Sequence, residues 1–227
     1  MSANTSPLLD REASWRVIEQ QRLAIADVLA ELTPAEWELP SLCARWRIRD
    51  VAAHIALTPH PPSLGALFVA GLRANGNYNR LIDDLTVRAA ERPPAELVGM
   101  LRTHASSRKL PGPTNYRNIL FDTMVHGQDI AIPLGRTIEL PVDAAATGAT
   151  TATEIGWPVW KKHRLDGFAL RATDIDWSYG AGIDVRGPIA ALLLVVTGRP
   201  AGLAQLTGDG VPALARRTGG PLGALGG

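Results

Sequence analysis

Residues 122–129 have the sequence Asp122-Thr-Met-Val-His126-Gly-Gln-Asp129. They lie inside an apolar run, 115–133, that predicts a helix. Positions four apart lie one turn above each other on a helix, so Asp122 and His126 aim a carboxylate and an imidazole at one place. These are ligand types that hold divalent metals. The pattern also arises by chance, and the alternative is a surface aspartate beside a core or capping histidine.

A metal site needs more than these two side chains. Zinc with an open position usually has three protein ligands. The best further donor is His54, in a predicted helix over 47–57. We therefore predict a site made of His54, Asp122 and His126 on two packed helices. The competing interpretation of His54 is a satisfied histidine on an apolar helix face.

Other polar residues lie near the predicted ligands along the chain. Asp50 comes one turn before His54 and either orients its ring or stabilises the helix N-terminus. Asp129 follows His126 by three residues and has the same two interpretations. His60 follows the end of the helix and is a candidate for lining the mouth of the site. Cys43 is interpreted as a small buried side chain rather than a nucleophile.

The composition is that of a globular protein. The chain has 227 residues, 46% hydrophobic and 20% charged, with a net charge of +1. Basic and acidic residues are intermixed, which argues against nucleic acid or an anionic membrane as the main partner. One cysteine excludes an intramolecular disulfide. The polar N-terminus is unlike a signal peptide, and the longest apolar run, 189–196, is too short to span a bilayer. We expect a cytoplasmic protein.

The pattern of elements predicts a mainly α chain in two parts. Long amphipathic segments joined by Pro/Gly turns indicate an antiparallel four-helix bundle over residues 9–136. Residues 137–218 indicate a small α+β domain. Within it, 168–177 is predicted to be one strand, 178–182 a turn and 183–185 a returning strand. The Gly-rich segment 219–227 is predicted to be a flexible tail.

Several separated motifs resemble one known family. Cys43-Ala-Arg-Trp46-Arg-Ile-Arg-Asp50-Val-Ala-Ala-His54 resembles a motif of DinB-like metal-binding bundles. Val125-His126-Gly-Gln-Asp129-Ile-Ala and Leu134-Gly-Arg136 resemble a segment of the maleylpyruvate isomerase family of mycothiol-dependent enzymes. Leu170-Arg-Ala-Thr-Asp174, Thr197-Gly-Arg199 and Leu206-Thr-Gly-Asp-Gly-Val211 agree in the C-terminal part. The resemblance spans about residues 10–217 in the right order.

The resemblance implies a DinB-like bundle that holds a divalent metal, usually zinc, through two histidines and one acidic residue. By motif position these are His54, Asp122 and His126. It also implies mycothiol as the thiol cosubstrate and an actinobacterial source. The family usually has glutamate at the acidic position, and this chain has Asp122, which is one methylene shorter and still a competent zinc ligand.

The implied reaction is attack of a metal-activated thiolate on a small electrophile, as in a maleylpyruvate isomerase or a thiol S-transferase. An arginine is expected to bind substrate carboxylates. The candidates are Arg80, Arg117, Arg186 and Arg199, besides His60. Two alternatives remain: a DinB-like metal-dependent hydrolase that activates water, and a non-catalytic protein that binds a metal or small molecule. The sequence leaves open whether the protein is a monomer or a homodimer.

Overall fold

The computed structural model describes residues 4–5, 8–59, 78–110, 114–155 and 164–218. Within these ranges the chain is a helical bundle followed by a smaller unit of helices and a sheet, as predicted. His60 and the predicted flexible tail 219–227 lie outside the described residues.

The helices and strands lie close to the predicted segments. The α-helices are α1 (Arg11–Ala30), α2 (Pro34–Trp37), α3 (Ile48–Leu57), α4 (Tyr78–Ala89), α5 (Pro94–Thr103), α6 (Tyr116–Ala131), α7 (Val142–Ile155), α8 (Ile189–Val196) and α9 (Val211–Thr218). The strands are β1 (Asn4–Thr5), β2 (Gly167–Ala172), β3 (Trp177–Gly180) and β4 (Gly182–Gly187). A 3-10 turn, Pro200–Gln205, follows α8.

Side-chain caps start the bundle helices. The Asp10 carboxylate accepts a hydrogen bond from the backbone N–H of Ala13 at the start of α1. Thr33 and Glu36 form a reciprocal capping box around α2. These contacts satisfy N–H groups that have no partner inside a helix, so the helices begin where the sequence predicts.

The bundle packs α1 against α5 and α6, and α3 against α4, α5 and α6. Its core contains small and aliphatic side chains, among them Ile25, Ile48, Leu97 and Ile130. Close approach of α1 to α6 depends on Gly127, because a Cβ there would lie 3.2 Å from Cδ1 of Ile25. The packing of α3 on α6 brings together the two helices that carry the predicted ligands.

The sheet corrects one part of the prediction. Its strand order is β1-β3-β2-β4, with β3 antiparallel and β4 parallel to β2. The predicted single strand 168–177 is therefore wrong, because the chain bends at 173–176 between β2 and β3. There, Asp174 accepts a hydrogen bond from the backbone N–H of Ile189 at the start of α8. The predicted turn at 178–182 is largely strand β3, and β4 returns parallel to β2.

One hydrophobic core joins the two predicted parts of the chain. It includes Trp15 and Met124 of the bundle together with Phe168 and Leu193 of the C-terminal part. Gly148 of α7 packs so closely on α6 that a Cβ there would lie 3.0 Å from Cε of Met124. Among the described helices, none is both long enough and apolar enough to cross a membrane.

Candidate metal centre

The three predicted ligands meet at one point between α3 and α6. Nε2 of His54 lies 3.5 Å from Oδ2 of Asp122, and Nε2 of His126 lies 3.4 Å from Oδ1 of the same carboxylate. One donor atom from each residue lies within 4.8 Å of the other two. Donor atoms about 2 Å from one tetrahedral ion lie about 3.3 Å apart, so the spacing suits a shared divalent cation.

The cluster sits at the surface end of the interhelical contact and is only partly covered. The side chains of His54 and Asp122 are 21% and 30% exposed, whereas that of His126 is 11% exposed. The two imidazole rings meet edge to face with centroids 4.8 Å apart. His126 is therefore mostly packed in the protein, whereas His54 and Asp122 remain partly accessible to solvent.

Asp129 holds the ring of His126 from behind. Nδ1 of His126 donates a hydrogen bond to Oδ2 of Asp129 over 2.8 Å, and the Asp129 side chain is fully buried. This bond holds one ring proton at Nδ1, so that loss of the other proton would leave the lone pair of Nε2 directed at the cluster. Of the two interpretations of Asp129, the structure favours the one in which it orients the histidine.

Arg199 is bound to Asp129, which corrects its predicted role. Its Nε and Nη2 donate to the two carboxylate oxygens over 3.0 and 2.7 Å, and its Nη1 donates to the carbonyl of Thr197. All three nitrogens are engaged, so Arg199 is not free to bind a substrate carboxylate. It comes from the turn after α8, where Gly198 adopts φ = 86° and reverses the chain.

Asp50 does not orient His54. Its carboxylate accepts hydrogen bonds from the backbone N–H of Arg47 and from Nε and Nη2 of the same arginine. The residue completes the N-terminal cap of α3, so the capping interpretation is the one that the structure supports and the predicted contact with His54 is wrong.

Two other predicted carboxylate-binding residues, Arg186 and Arg117, make their described contacts apart from the cluster. Arg186 is exposed on β4 and pairs with Asp184. Arg117 is half-buried in the first turn of α6, over the ring of Tyr116, about 140° around the helix from Asp122. Arg80 belongs to α4, but its side chain, like His60, is outside the described part of the structure.

Two side chains that the sequence did not place at the site line it. The Trp46 ring lies 5.3 Å from the ring of His54 and 6.0 Å from that of His126, measured between centroids. Its Nε1–H donates to Oδ1 of Asp83 in α4 over 2.6 Å. Trp46 lies just before the N-cap of α3 and outside the helix, so helical spacing does not predict its contact with His54.

Cys43 is the second of these side chains. Its Sγ lies within 4.8 Å of donor atoms of His126 and Asp129. Burial, with a smaller contribution from Asp129, raises the pKa of the Cys43 thiol to about 12. The thiol is therefore protonated at neutral pH, which agrees with the prediction that it is not a nucleophile.

The charges of the cluster are strongly coupled. Burial alone would raise the pKa of Asp122, but His126 and His54 outweigh it and hold that pKa far below its usual range. Burial alone would lower the pKa of His126, but Asp122 and Asp129 outweigh it and raise the pKa to about 9. Burial also opposes ionisation of Asp129, whose pKa is nevertheless lowered, chiefly by Arg199.

Comparison with known proteins agrees with this architecture. Residues 18–61 match the model of the mycothiol maleylpyruvate isomerase N-terminal domain. The structure superposes on a mycothiol-dependent maleylpyruvate isomerase with a TM-score of 0.60, covering 88% of this chain and 93% of that chain. The chain has the fold of the mycothiol-dependent maleylpyruvate isomerases. The resemblance inferred from the sequence motifs is thus confirmed.

A second solved structure, a histidine-to-alanine mutant of a mycothiol-dependent maleylpyruvate isomerase, superposes with a TM-score of 0.61 over the same shares of both chains. Both structures of this family are 14% identical in sequence to the present chain, so the match describes the fold. No curated protein matches the chain.

Proposed function

We propose that the protein is a divalent-metal-dependent enzyme that uses mycothiol to isomerise a small electrophilic cis-alkene acid of the maleylpyruvate type. The observation that carries the proposal is the convergence of His54, Asp122 and His126, with Asp129 and Arg199 fixing the ring of His126. The match of residues 18–61 to the mycothiol maleylpyruvate isomerase N-terminal domain supports the choice of thiol and reaction class.

The donor set suits a zinc-like ion. Two imidazole nitrogens and one carboxylate oxygen are a common ligand set for catalytic zinc, which keeps a fourth position open. Asp122 is partly exposed, so an ion held by these three residues would be reachable from the solvent side of the carboxylate. A divalent cation bound here would favour the anionic form of a thiol that reaches it.

The residues of the chain have separate tasks in this scheme. His54, Asp122 and His126 would hold the cation, and Asp129 keeps the Nδ1 proton of His126 in place. Trp46 forms an apolar wall beside both histidines and limits the water that reaches the thiol sulfur. The thiolate adds to one alkene carbon, the product of addition rotates about the new single bond, and loss of the thiolate restores the double bond in the trans form.

Metal analysis and turnover assays test the proposal together. Protein reconstituted with zinc should hold about one ion per chain and convert maleylpyruvate to its trans isomer only when mycothiol is added. His54→Ala should abolish both properties, whereas His104→Ala, outside the cluster, should retain them. Turnover by hydrolysis without any thiol would instead support a metal-dependent hydrolase. Protein that holds no stoichiometric divalent metal, together with unchanged ligand binding in His54→Ala, would contradict a metal-dependent enzyme.

A further inference from the structure

Arg22 is a buried cation with three of its five N–H donors unused. It lies on α1 and its exposed fraction is 0%. Nη1 donates to the carbonyls of Ala105 and Ser107 over 3.0 and 2.8 Å. Nε and Nη2 have no hydrogen-bond partner among the described residues. Leaving a buried charged group without hydrogen-bond partners costs free energy. The Nε and Nη2 atoms of Arg22 are therefore expected to bind a ligand that the structure does not contain.

The unused edge is the one that binds carboxylates elsewhere in this chain. Arg199 uses Nε and Nη2 to bind both oxygens of Asp129. Arg47 uses the same two nitrogens on both oxygens of Asp50. The Nε/Nη2 edge of Arg22 therefore presents the same two parallel donors, with Nη1 fixed by two backbone carbonyls. Such a fork matches the planar shape of a carboxylate.

Arg22 also lies near the candidate metal centre. α1 packs against α6, and the charge of Asp122 acts on Arg22. Burial lowers the pKa of Arg22 to about 10, which leaves the side chain cationic at neutral pH. Asp122 carries one negative charge and cannot neutralise both Arg22 and a divalent cation. Additional negative charge from an anionic ligand close to both is therefore favoured.

We propose that Arg22 binds a carboxylate of the substrate and restricts the site to electrophiles that carry one. This assignment rests on the proposed function, and Arg22 is not among the arginines that the sequence suggested for the task. The two donor atoms are shielded from bulk water. Their attraction for an anion is correspondingly strong, and neighbouring groups must shift when the carboxylate enters.

Calorimetric titration with a charged and an uncharged probe tests the assignment. Maleate and its neutral diamide are titrated into zinc-loaded and metal-free protein. Arg22→Lys keeps the positive charge and removes the fork, and we expect it to weaken maleate binding about 10–100-fold. Affinity for zinc and for the diamide should stay within about twofold. Arg16→Lys, exposed on the same helix, is the matched control and should bind all three ligands like the wild type.

Other outcomes separate this assignment from the proposed function. Equal maleate affinity in wild type and Arg22→Lys overturns it, even where zinc binding and thiol-dependent turnover are present. So does a wild type that binds maleate no better than the diamide. If zinc or thiol dependence fails, Arg22-dependent maleate binding by metal-free protein still supports the fork. Should Arg22→Lys fail to fold, judged by circular dichroism, Arg22→Gln replaces it with the same expected loss of maleate binding.

Discussion

At the residue scale, His126 connects the cluster to the rest of the protein. Without metal, its imidazolium lies between Asp122 and Asp129, and the pKa is raised to about 9 from an unfolded value of about 6.5. Because this pKa is raised on folding, the protonated ring contributes its full stabilisation of the folded state below about pH 6.5. That stabilisation is lost as the pH rises through about 9. The effect on the free energy of unfolding is at most about 3 kcal/mol.

Urea unfolding of metal-free protein at pH 6.5 and pH 9.5 measures this effect. We expect the wild type to lose stability over that interval relative to His126→Gln, which has no titrating ring. A pH dependence that is the same in both proteins would contradict the raised pKa of His126.

The same residue predicts the opposite pH dependence for metal binding. A metal ligand must be unprotonated, so an ion at Nε2 displaces the proton that the imidazolium carries at neutral pH. At pH 7.5 we expect zinc binding to release about one proton and its affinity to rise with pH. Calorimetry in buffers of different ionisation enthalpy counts the protons. Release of no proton would place the ion elsewhere than on His126.

Asp122 is the proposed ligand that stands where the resembled family usually has glutamate. Its Oδ2 lies 3.5 Å from Nε2 of His54, and its Oδ1 lies 3.4 Å from Nε2 of His126. The aspartate, although one methylene shorter than glutamate, therefore reaches both histidines. We expect Asp122→Asn to weaken zinc binding by about 100-fold or more, because the anionic oxygen is lost. Asp84→Asn, exposed on α4, should have no effect. Equal zinc affinity in all three proteins, measured by competition with a chelator, would remove Asp122 from the site.

At the element scale, the turn after α8 matters as much as the helices of the bundle. Arg199 extends from that turn to the buried Asp129 of α6 and forms two hydrogen bonds with it. Removing one partner of a buried ion pair leaves the other charge unpaired, which costs about 3–5 kcal/mol. We therefore expect Arg199→Met to destabilise the protein by about 3 kcal/mol and to weaken zinc binding about 10-fold or more, because the ring of His126 loses its support.

The matched control is Arg136→Met. Arg136 also pairs with a carboxylate, that of Glu31, but at the protein surface. Exposed ion pairs contribute about 0–1 kcal/mol, so urea unfolding and zinc affinity should change little. Equal losses in the two variants would show that the Arg199 contact has no special role.

The sequence predicts those elements whose cause is local. Helix α2 follows from the Thr33 and Glu36 cap, and the spacing of Asp122 and His126 follows from helix geometry. The break between β2 and β3 was missed because Asp174 is bound to the N-terminus of α8, a contact that is distant in sequence. The ion pair of Arg199 with Asp129 spans 70 residues and was missed for the same reason.

At the scale of the whole molecule, the two predicted domains share interior side chains. The core that contains Phe121 and Met124 of α6 continues into α7, the sheet and α8. The ring of Trp177 is buried there, and its Nε1–H donates to Oγ1 of Thr150. The boundary near residue 136 remains a prediction about folding units. The continuous core indicates that the C-terminal part supports the helix that carries Asp122 and His126.

A fragment ending at residue 136 tests that dependence. It would expose the apolar face of α6 that packs on α7, and it would leave Asp129 without Arg199. We expect a broad, non-cooperative thermal transition by circular dichroism and weak zinc binding, because both losses destabilise α6. A chain ending at residue 218 retains every residue of the shared core and should melt and bind zinc like the full chain. A sharp transition and full zinc affinity in the 1–136 fragment would show that the bundle is an independent domain.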